Sequence, residues 1–295
     1  MTGVTIEIAI LITTYRRNVA LLRVLQQVIS LAESYTGPHR YRIVIADSDH
    51  ENPEADQLAA LPVTYVVNTG VSFDENVLTF YDRYGLEFDW VLHLSDDDLF
   101  LAGSGHPFAS IDAALTTNAD AILFNHRDFH TDGDGGVRVG DVYYTDVTTQ
   151  MHARALAHKV VGSIPRHTGM LLQPQHVFRL LAAGTLEPFV GTGHLYAAPL
   201  VLAAVVGRAS FVDLPLTLFH AQGDGGGAWE DLDEVFMGLV QYATVMRQAL
   251  APDAYAHLYA SFMASYFAQG SWLRSMATSV PTTPQLSVLL GPSHP

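Results

Sequence analysis

The sequence has no cysteine, and basic side chains are scarce among its 295 residues. Without cysteine the chain forms no disulfide and offers neither a thiolate metal ligand nor a thiol nucleophile. Its 15 Lys and Arg residues stand against 30 Asp and Glu residues, which gives a formal net charge of -15. A chain this acidic repels phosphate backbones and anionic lipids, so we expect no nucleic acid among its partners.

Long apolar segments are also missing from the sequence. The longest apolar run, residues 195–207, contains Pro199 and is shorter than the roughly 20 residues that a membrane-spanning helix needs. The first twelve residues lack a basic segment and include Glu7, which favours a buried strand over a signal peptide. We therefore expect a cytoplasmic protein without stable membrane insertion, in which residues 195–207 form a buried helix.

The sequence does contain enough apolar residues for a sizeable core, 49% of the total. Over the first hundred residues, apolar β-branched runs predict strands at residues 6–13, 41–46, 63–67 and 90–95. Helical periodicity lies between them, at residues 18–36, 53–60 and 74–84. Strands that alternate with helices predict an α/β fold with a doubly wound, mainly parallel sheet flanked by helices.

Polar residues follow each of the four predicted strands. In chain order they include Thr14, Tyr15 and Arg16, then Asp47 and Asp49, then Asn68, and finally Asp96, Asp97 and Asp98. In an open α/β sheet, ligands bind outside the carboxyl ends of the strands. The sequence therefore predicts a ligand site at this edge of the sheet.

The three consecutive aspartates, residues 96–98, are the most specific of these features. Adjacent carboxylates repel one another, and a hard divalent cation such as Mg²⁺ or Mn²⁺ relieves that repulsion while it accepts substrate phosphate oxygens. An alternative is that these aspartates only cap a helix or form a turn, for which Asp is well suited. Their place among the other strand-end polar groups favours the cation site.

The strand-end segments also carry a family resemblance. The motifs ILITTYRR, IVIADSD, NTGVSFDEN and VLHLSDDDLF occur in this order within the first hundred residues. Together they resemble the nucleotide-binding half of the family 2 glycosyltransferases, which have the GT-A fold. The resemblance implies an inverting transferase that depends on Mn²⁺ or Mg²⁺ and takes its sugar from a nucleoside diphosphate, here UDP or dTDP.

The resemblance assigns roles to individual residues of this chain. The nucleotide-binding residues that it implies are Thr14, Tyr15, Arg16, Asp47, Asp49, Asn76, Asp96 and Asp97. Within that set, Asp47 would accept a hydrogen bond from the base and Asp96 would meet the ribose. The metal ligands that it implies are Asp98, Asp96 and His220.

A glycine-rich phosphate loop would be the competing device, but the sequence has neither GxxxxGK[ST] nor a strand-linked GxGxxG. Lys159 is the only lysine, and it lies far from the first hundred residues in sequence. Neutralisation of a leaving diphosphate is therefore left to a metal ion, to Arg16 and Arg17, or to helix N-termini.

Many members of the family use a Glu-Asp pair as the base that deprotonates the acceptor hydroxyl, and this chain has no such pair where the family places it. Alignment of the later segments puts His194 there, and imidazole titrates near neutral pH, so His194 is the candidate base. Asp224, Asp128 and Glu187 are alternatives, and a structural role for His194 stays open. The missing pair leaves activity itself open.

We divide the chain into a nucleotide-sugar-binding half (1–100), an acceptor-binding half of the same domain (101–230), C-terminal helices (231–280) and an extended tail (281–295). Further strands are predicted at residues 121–125 and 212–219, a loop with polar side chains at 126–130, and a hairpin or flexible loop at 131–140. Helical patterns at 230–250 and 252–276 are rich in aromatic residues, which suggests core packing or a homodimer interface.

Two other classes of protein fit parts of the sequence. A sugar nucleotidyltransferase has a related fold, but it would need the glycine-rich, lysine-containing loop that is missing near the N-terminus. A non-catalytic sugar-nucleotide or carbohydrate-binding module would explain the missing Glu-Asp pair. We expect an enzyme that adds one sugar to a saccharide or a small natural product, because a processive polysaccharide synthase would need membrane helices.

Overall fold

A computed structural model describes residues 4–49, 51–69, 71–101, 105–115, 118–131, 137–144 and 167–220, together with positions 238, 241, 242 and 244–246. In these residues nine strands form one curled sheet flanked by helices. The predicted α/β class with a mainly parallel, helix-flanked sheet is confirmed.

The first half of the chain alternates strands and helices, as the sequence predicts. The strands are β1 (Glu7–Thr14), β2 (Arg40–Asp47), β3 (Thr64–Val67) and β4 (Trp90–Ser95). The helices between them are α1 (Asn18–Ser34), α2 (Ala55–Ala59) and α3 (Phe73–Tyr84), followed by a 3-10 turn at Gly85–Glu87. Because β1 pairs in parallel with β2 and β4, and β2 with β3, the carboxyl ends of all four strands lie at one edge.

The second half extends the same sheet. Its elements are β5 (Leu99–Phe100), α4 (Pro107–Ala114), β6 (Ala121–Thr131), β7 (Val137–Val142), β8 (Met170–Leu172), α5 (Pro174–Ala182), a 3-10 turn (Glu187–Phe189), α6 (Ala197–Val205) and β9 (Ala209–His220). β8 lies antiparallel between β4 and β6, and β9 runs parallel to β6. β5 and β7 are antiparallel to β9 and β6. The strand order is therefore β3-β2-β1-β4-β8-β6-β9-β5, with β7 on β6.

Two predicted boundaries in this half were wrong. Residues 126–130 belong to β6 and not to a loop, and β9 begins at Ala209, before residue 212. The polar side chains of β6 misled the prediction, because pairing with β7 and β9 satisfies the backbone of a strand whatever its side chains are. Pairing of Thr131 with Val137 agrees with the predicted hairpin, whose tip lies outside the described residues.

Apolar clusters cover both faces of the sheet. On one face, β1 residues Ile8, Ile10 and Ile12 pack with the buried stripe of α1, which includes Leu21 and Leu25. On the other face, Ala9 and Leu11 of β1 belong to one cluster with residues of α3 and of α6, the buried helix predicted within residues 195–207. Because both faces are covered, the polar residues of β1 and β2 lie at the strand ends, whereas His93 is a buried polar residue within β4. Among the described residues, none of the helices is both long enough and apolar enough to cross a membrane.

Candidate active site

The carboxyl ends of β1, β2 and β4 bring the predicted polar residues together. Thr14 is paired in register with Asp47, and Thr13 is paired with Ser95, the residue before the three aspartates. Carboxylates are rarely buried unless they have partners. Five of them are nevertheless buried at this edge, namely Asp47, Asp49, Asp96, Asp97 and Asp98.

Arg17 pairs with two of the three consecutive aspartates. Its Nη1 lies 2.9 Å from Oδ1 of Asp96, and its Nη2 lies 2.5 Å from Oδ2 of Asp97. Thr14 Oγ1 donates to the other oxygen of Asp96 at 2.8 Å, and Ser95 Oγ donates to Oδ1 of Asp97 at 2.7 Å. The sequence indicates Arg17 only as a partner for phosphate, whereas in the structure its guanidinium ties the turn after β1 to the end of β4.

Asp98 is held by a residue that sequence analysis missed. Thr168, just before β8, donates through Oγ1 to Oδ2 of Asp98 and accepts the backbone N–H of Ser95 at 2.9 Å. The Asp98 side chain has no exposed surface. No local motif marks Thr168, because its partner lies 70 residues earlier in the sequence.

The charge balance of the aspartate cluster suits a cation. Burial raises the pKa of Asp96 to about 6, although the positive charge of Arg17 acts in the opposite direction. Mg²⁺ and Mn²⁺ prefer carboxylate oxygens, and an ion that serves phosphates needs only one or two from the protein. Within the described residues no group of three or more metal-ligating side chains is assembled. Asp96 and Asp98 fit such an ion in donor type and in charge.

Asp47 forms a second hydrogen-bonded centre, at the end of β2. Its Oδ1 accepts the backbone N–H of Asp49 at 2.8 Å, and its Oδ2 accepts from Asn52 Nδ2 at 2.6 Å and from Tyr65 Oη at 2.8 Å. A carboxylate offers about four acceptor positions, so these three bonds leave one. Asn52 and Tyr65 are further site residues that sequence analysis missed.

Tyr15 and Arg16 lie in the turn that follows β1. Tyr15 is 52% exposed, and the Arg16 guanidinium carbon lies 4.9 Å from the centre of its ring. Arg16 Nε is also 3.5 Å from Oδ2 of Asp49. The φ angle of Arg16 is 55°, a left-handed conformation that is uncommon for a residue with a Cβ atom. Such conformations cluster at functional sites, which supports the predicted importance of this turn.

Asn76 is buried behind the strand ends. Its Nδ2 donates to the carbonyl oxygen of Ala46 at 2.8 Å, and its Oδ1 accepts from Asn68 at 2.7 Å. These bonds use the carboxamide to fix α3 against β2 and the segment after β3. Asn76 thus holds in place the elements that carry the candidate site.

His194 lies in a loop that wraps around a buried aspartate. Asp74, in the first turn of α3, accepts the backbone N–H groups of Gly193 at 2.7 Å and Leu195 at 3.1 Å. Burial lowers the pKa of His194 to about 4, and its Nδ1 lies 3.4 Å from Tyr196 Oη. His194 is therefore neutral at pH 7, and a neutral imidazole has one nitrogen that can accept a proton.

Aromatic rings connect His194 with the aspartates. The ring of His194 lies 6.0 Å from that of Tyr196, which lies 5.2 Å from the ring of His167. The next residue, Thr168, bonds Asp98. The structure thus places the candidate base in the same region as the candidate metal site, with Tyr196 and His167 between them.

Other predicted residues are described in part or not at all. Asp224, residues 151–166 and most of the C-terminal region lie outside the described residues, and of His220 only the backbone is described. Asp128 lies in β6, and Glu187 is exposed at the start of a 3-10 turn. Within the helix predicted at 230–250, the described positions are helical. The roles of Asp224 and His220, and a homodimer through C-terminal helices, stay predictions.

Comparison with solved structures defines the class of the fold. S. aureus TarS 1-349 in complex with UDP-GlcNAc aligns over 96% of this chain and 79% of that chain, with a TM-score of 0.62 and 12% identity. The mannosyltransferase PcManGT from Pyrobaculum calidifontis, in complex with GDP-Man and Mn²⁺, aligns over 98% and 80%, with a TM-score of 0.57 and 14% identity. Mannosyl-3-phosphoglycerate synthase from Rubrobacter xylanophilus aligns over 84% and 75%, with a TM-score of 0.52 and 11% identity.

The chain therefore has the fold of the GT-A glycosyltransferases. Neither a protein-family model nor a curated protein sequence matches it. Membership in family 2 in particular stays a prediction from the four motifs.

Proposed function

We propose that the protein is a metal-dependent inverting glycosyltransferase. It moves a sugar from UDP or dTDP to a hydroxyl of a saccharide or a small natural product. The observation that carries the proposal is the cluster of three buried aspartates at the carboxyl edge of a GT-A sheet. Structural neighbours of this fold are complexes with UDP-GlcNAc and with GDP-Man and Mn²⁺. Buried carboxylates need a positive partner, and a metal ion that arrives with a nucleotide supplies one.

In this proposal the three aspartates bind both the metal ion and the nucleotide. Asp98 and Asp96 hold Mn²⁺ or Mg²⁺ together with His220, and Asp96 and Asp97 face the ribose. When bound, the metal ion acts as a Lewis acid that stabilises the negative charge of the departing diphosphate. The remaining nucleotide contacts come from Thr14, Tyr15, Arg16, Asp47 and Asp49, and Asn76 contributes from behind them by fixing α3 against β2.

His194 is the proposed base for the acceptor hydroxyl. It takes the hydroxyl proton while the acceptor oxygen bonds to the anomeric carbon from the face opposite the diphosphate, whose bond to that carbon breaks. Configuration is inverted because a single displacement occurs. The lowered pKa keeps His194 unprotonated at pH 7, but it also makes His194 a weaker proton acceptor. Asp224 is the alternative base.

Isothermal titration calorimetry with UDP, with and without Mn²⁺, tests the metal part of the proposal. We expect binding that depends on Mn²⁺ and that is lost in Asp98→Asn, which keeps the side-chain volume but removes the charge. Exposed Asp89→Asn is the matched control. Equal affinity for UDP in Mn²⁺ and in EDTA would contradict the metal assignment.

A donor screen that measures released nucleoside diphosphate tests the transferase itself. Slow hydrolysis of one nucleotide sugar is expected even without acceptor. A non-catalytic sugar-nucleotide-binding module is the second candidate, and the low pKa of His194 favours it. Binding of a donor with no release of diphosphate over long incubation would select the second candidate.

A further inference from the structure

His167 ends a chain of hydrogen bonds that begins in the core and stops one residue before Thr168, the partner of Asp98. The Tyr81 hydroxyl lies 2.8 Å from His93 Nε2, and His93 Nδ1 lies 3.0 Å from His167 Nε2. Tyr81 in α3 and His93 in β4 are buried, whereas His167 is partly exposed. The chain therefore leads from the core to the edge of the sheet, where Thr168 bonds Asp98.

The Tyr81 hydroxyl, at the buried end of this chain, determines which imidazole nitrogens of His93 and His167 carry a proton. Within the described residues the Tyr81 hydroxyl has His93 as its hydrogen-bond partner and no other, so its proton points at His93 Nε2, since buried donors are almost always satisfied. A neutral imidazole has one N–H group. His93 is therefore protonated on Nδ1 and donates to His167 Nε2. Because Nε2 of His167 accepts that hydrogen bond, His167 carries its single proton on Nδ1.

Both imidazoles are neutral at pH 7. Burial lowers the pKa of His93 well below its ordinary value, and it lowers the pKa of His167 to about 3 despite the nearby carboxylate of Asp97. The two nitrogens of an imidazole point in different directions, so Nδ1 of His167 points away from His93. His167 thus has an N–H to donate, and its one lone pair is already engaged. That excludes it as a general base.

Two aromatic side chains stand beside His167. The ring of Phe73, which is 36% exposed, lies 5.3 Å from the ring of His167, and the ring of Tyr196 lies 5.2 Å from it. Phe73 and Tyr196 also contact each other, with ring centres 5.9 Å apart. Aromatic rings beside a hydrogen-bond donor suit a ligand with an apolar face and hydroxyl oxygens. A pyranose ring has both.

We propose that His167 donates a hydrogen bond from Nδ1 to an oxygen of the donor's sugar, and that Phe73 and Tyr196 contact the apolar face of that sugar. Tyr81 and His93 are positioning residues that set the tautomer of His167. This inference rests on the proposed function, because it assumes that a nucleotide sugar binds at the aspartate cluster.

Nitrogen-15 NMR of the histidine side chains tests the tautomer without any ligand. In the wild-type chain we expect His167 to be protonated on Nδ1 with Nε2 unprotonated. Tyr81→Phe removes the hydroxyl that fixes the chain, so we expect a mixture of tautomers in that variant. Tyr84→Phe, in the same helix, is the matched control and is expected to leave the tautomer unchanged. A wild-type His167 protonated on Nε2 would overturn the inference whatever the protein binds.

Calorimetry with UDP and UDP-GlcNAc in Mn²⁺ tests the ligand. We expect His167→Ala to weaken UDP-GlcNAc about tenfold, the usual scale of one hydrogen bond, and to leave UDP unchanged. His167→Asn, whose amide N–H lies near the place of Nδ1–H, should recover part of the loss. Unchanged affinity for UDP-GlcNAc, or an equal loss for UDP, would overturn the sugar contact.

Failure of the proposed function is separately visible. A wild-type chain that binds none of UDP-GlcNAc, UDP-glucose, dTDP-glucose and GDP-Man would remove the proposed function, and the sugar contact would fall with it. A wild-type chain that binds UDP and UDP-GlcNAc with equal affinity would instead overturn only the sugar contact of His167 and leave the proposed function standing.

Discussion

Arg17 shows how single residues shape the candidate site. One guanidinium bonds the carboxylates of both Asp96 and Asp97, and its side chain is only 21% exposed. The sequence predicted the aspartates, because three in a row after an apolar strand are visible locally. It did not predict their partner, since Arg17 lies 79 residues from Asp96 along the chain. Contacts of this kind become visible only when the strand order is known.

Arg17→Gln should therefore destabilise the protein. The change leaves two buried carboxylates without their cation, which we expect to cost roughly 1–3 kcal/mol in urea unfolding, because Arg17 itself is partly solvated. Mn²⁺ should recover part of the loss if the cluster binds it, whereas NaCl of the same ionic strength should not. The exposed pair of Arg42 with Glu87 gives the control Arg42→Gln, with an expected loss under about 1 kcal/mol. Equal losses in both variants would contradict this account.

His194→Ala tests the candidate base. If His194 takes the acceptor proton, kcat should fall roughly 100-fold or more while UDP affinity is unchanged. The pKa of about 4 adds a pH test, because a base acts only when it is unprotonated. When the chain is saturated with Mn²⁺, which keeps Asp96 ionised although its pKa is about 6 in the free chain, wild-type kcat/KM should stay level as the pH falls from 7 to 5 and decline near 4. Near-normal turnover in the variant would exclude the base role and favour Asp224.

At the scale of elements, the first half was predictable and the second was less so. β1 is visible in the sequence as an apolar run, and α1 as an apolar stripe that includes Leu21 and Leu25. Both patterns are local because β1 and α1 bury these side chains against each other. β8 has only three residues, and the polar half of β6 has no apolar alternation, so neither has a local signal. The loop around Asp74 joins residues more than a hundred positions apart, which no pattern marks.

Gly193 is the element-scale position that we expect to be sensitive. Its φ angle is 70°, and an added Cβ atom would meet nothing within 4 Å, so Gly193→Ala should cause backbone strain without a clash. We expect a loss of about 1–2 kcal/mol in urea unfolding. Gly105 also has open space around it but no positive φ angle, so Gly105→Ala should leave stability unchanged or slightly raised. A similar response in the two variants would rule out strain in the His194 loop.

At the scale of the whole molecule, buried aspartates have different partners at the two ends of the sheet. Asp120 precedes β6 and Arg208 precedes β9, and these strands are parallel, so the two residues meet at the amino ends. Arg208 bonds both oxygens of Asp120, at 2.6 and 2.7 Å, and Arg179 adds a third bond at 3.0 Å. Asp120 thus pairs with two arginines, whereas at the carboxyl edge a single arginine, Arg17, pairs with both Asp96 and Asp97. Among the described residues, carboxylates are therefore concentrated at the edge where a ligand is expected.

The ion pairs of Asp120 should make part of the free energy of unfolding depend on pH in the acid range. Its hydrogen bonds with Arg208 hold the pKa of Asp120 below its ordinary value, so the folded state favours the ionised form. That contribution is present at every pH above the ordinary pKa of about 3.9 and is lost as the pH falls through the lower pKa of the folded state. Asp120→Asn should lower the free energy of unfolding at pH 7, and the difference from wild type should shrink below about pH 4. Urea unfolding from pH 7 to pH 3 measures this, with exposed Glu87→Gln as the control. A difference that grows on acidification would mean that Asp120 is not stabilised as the anion.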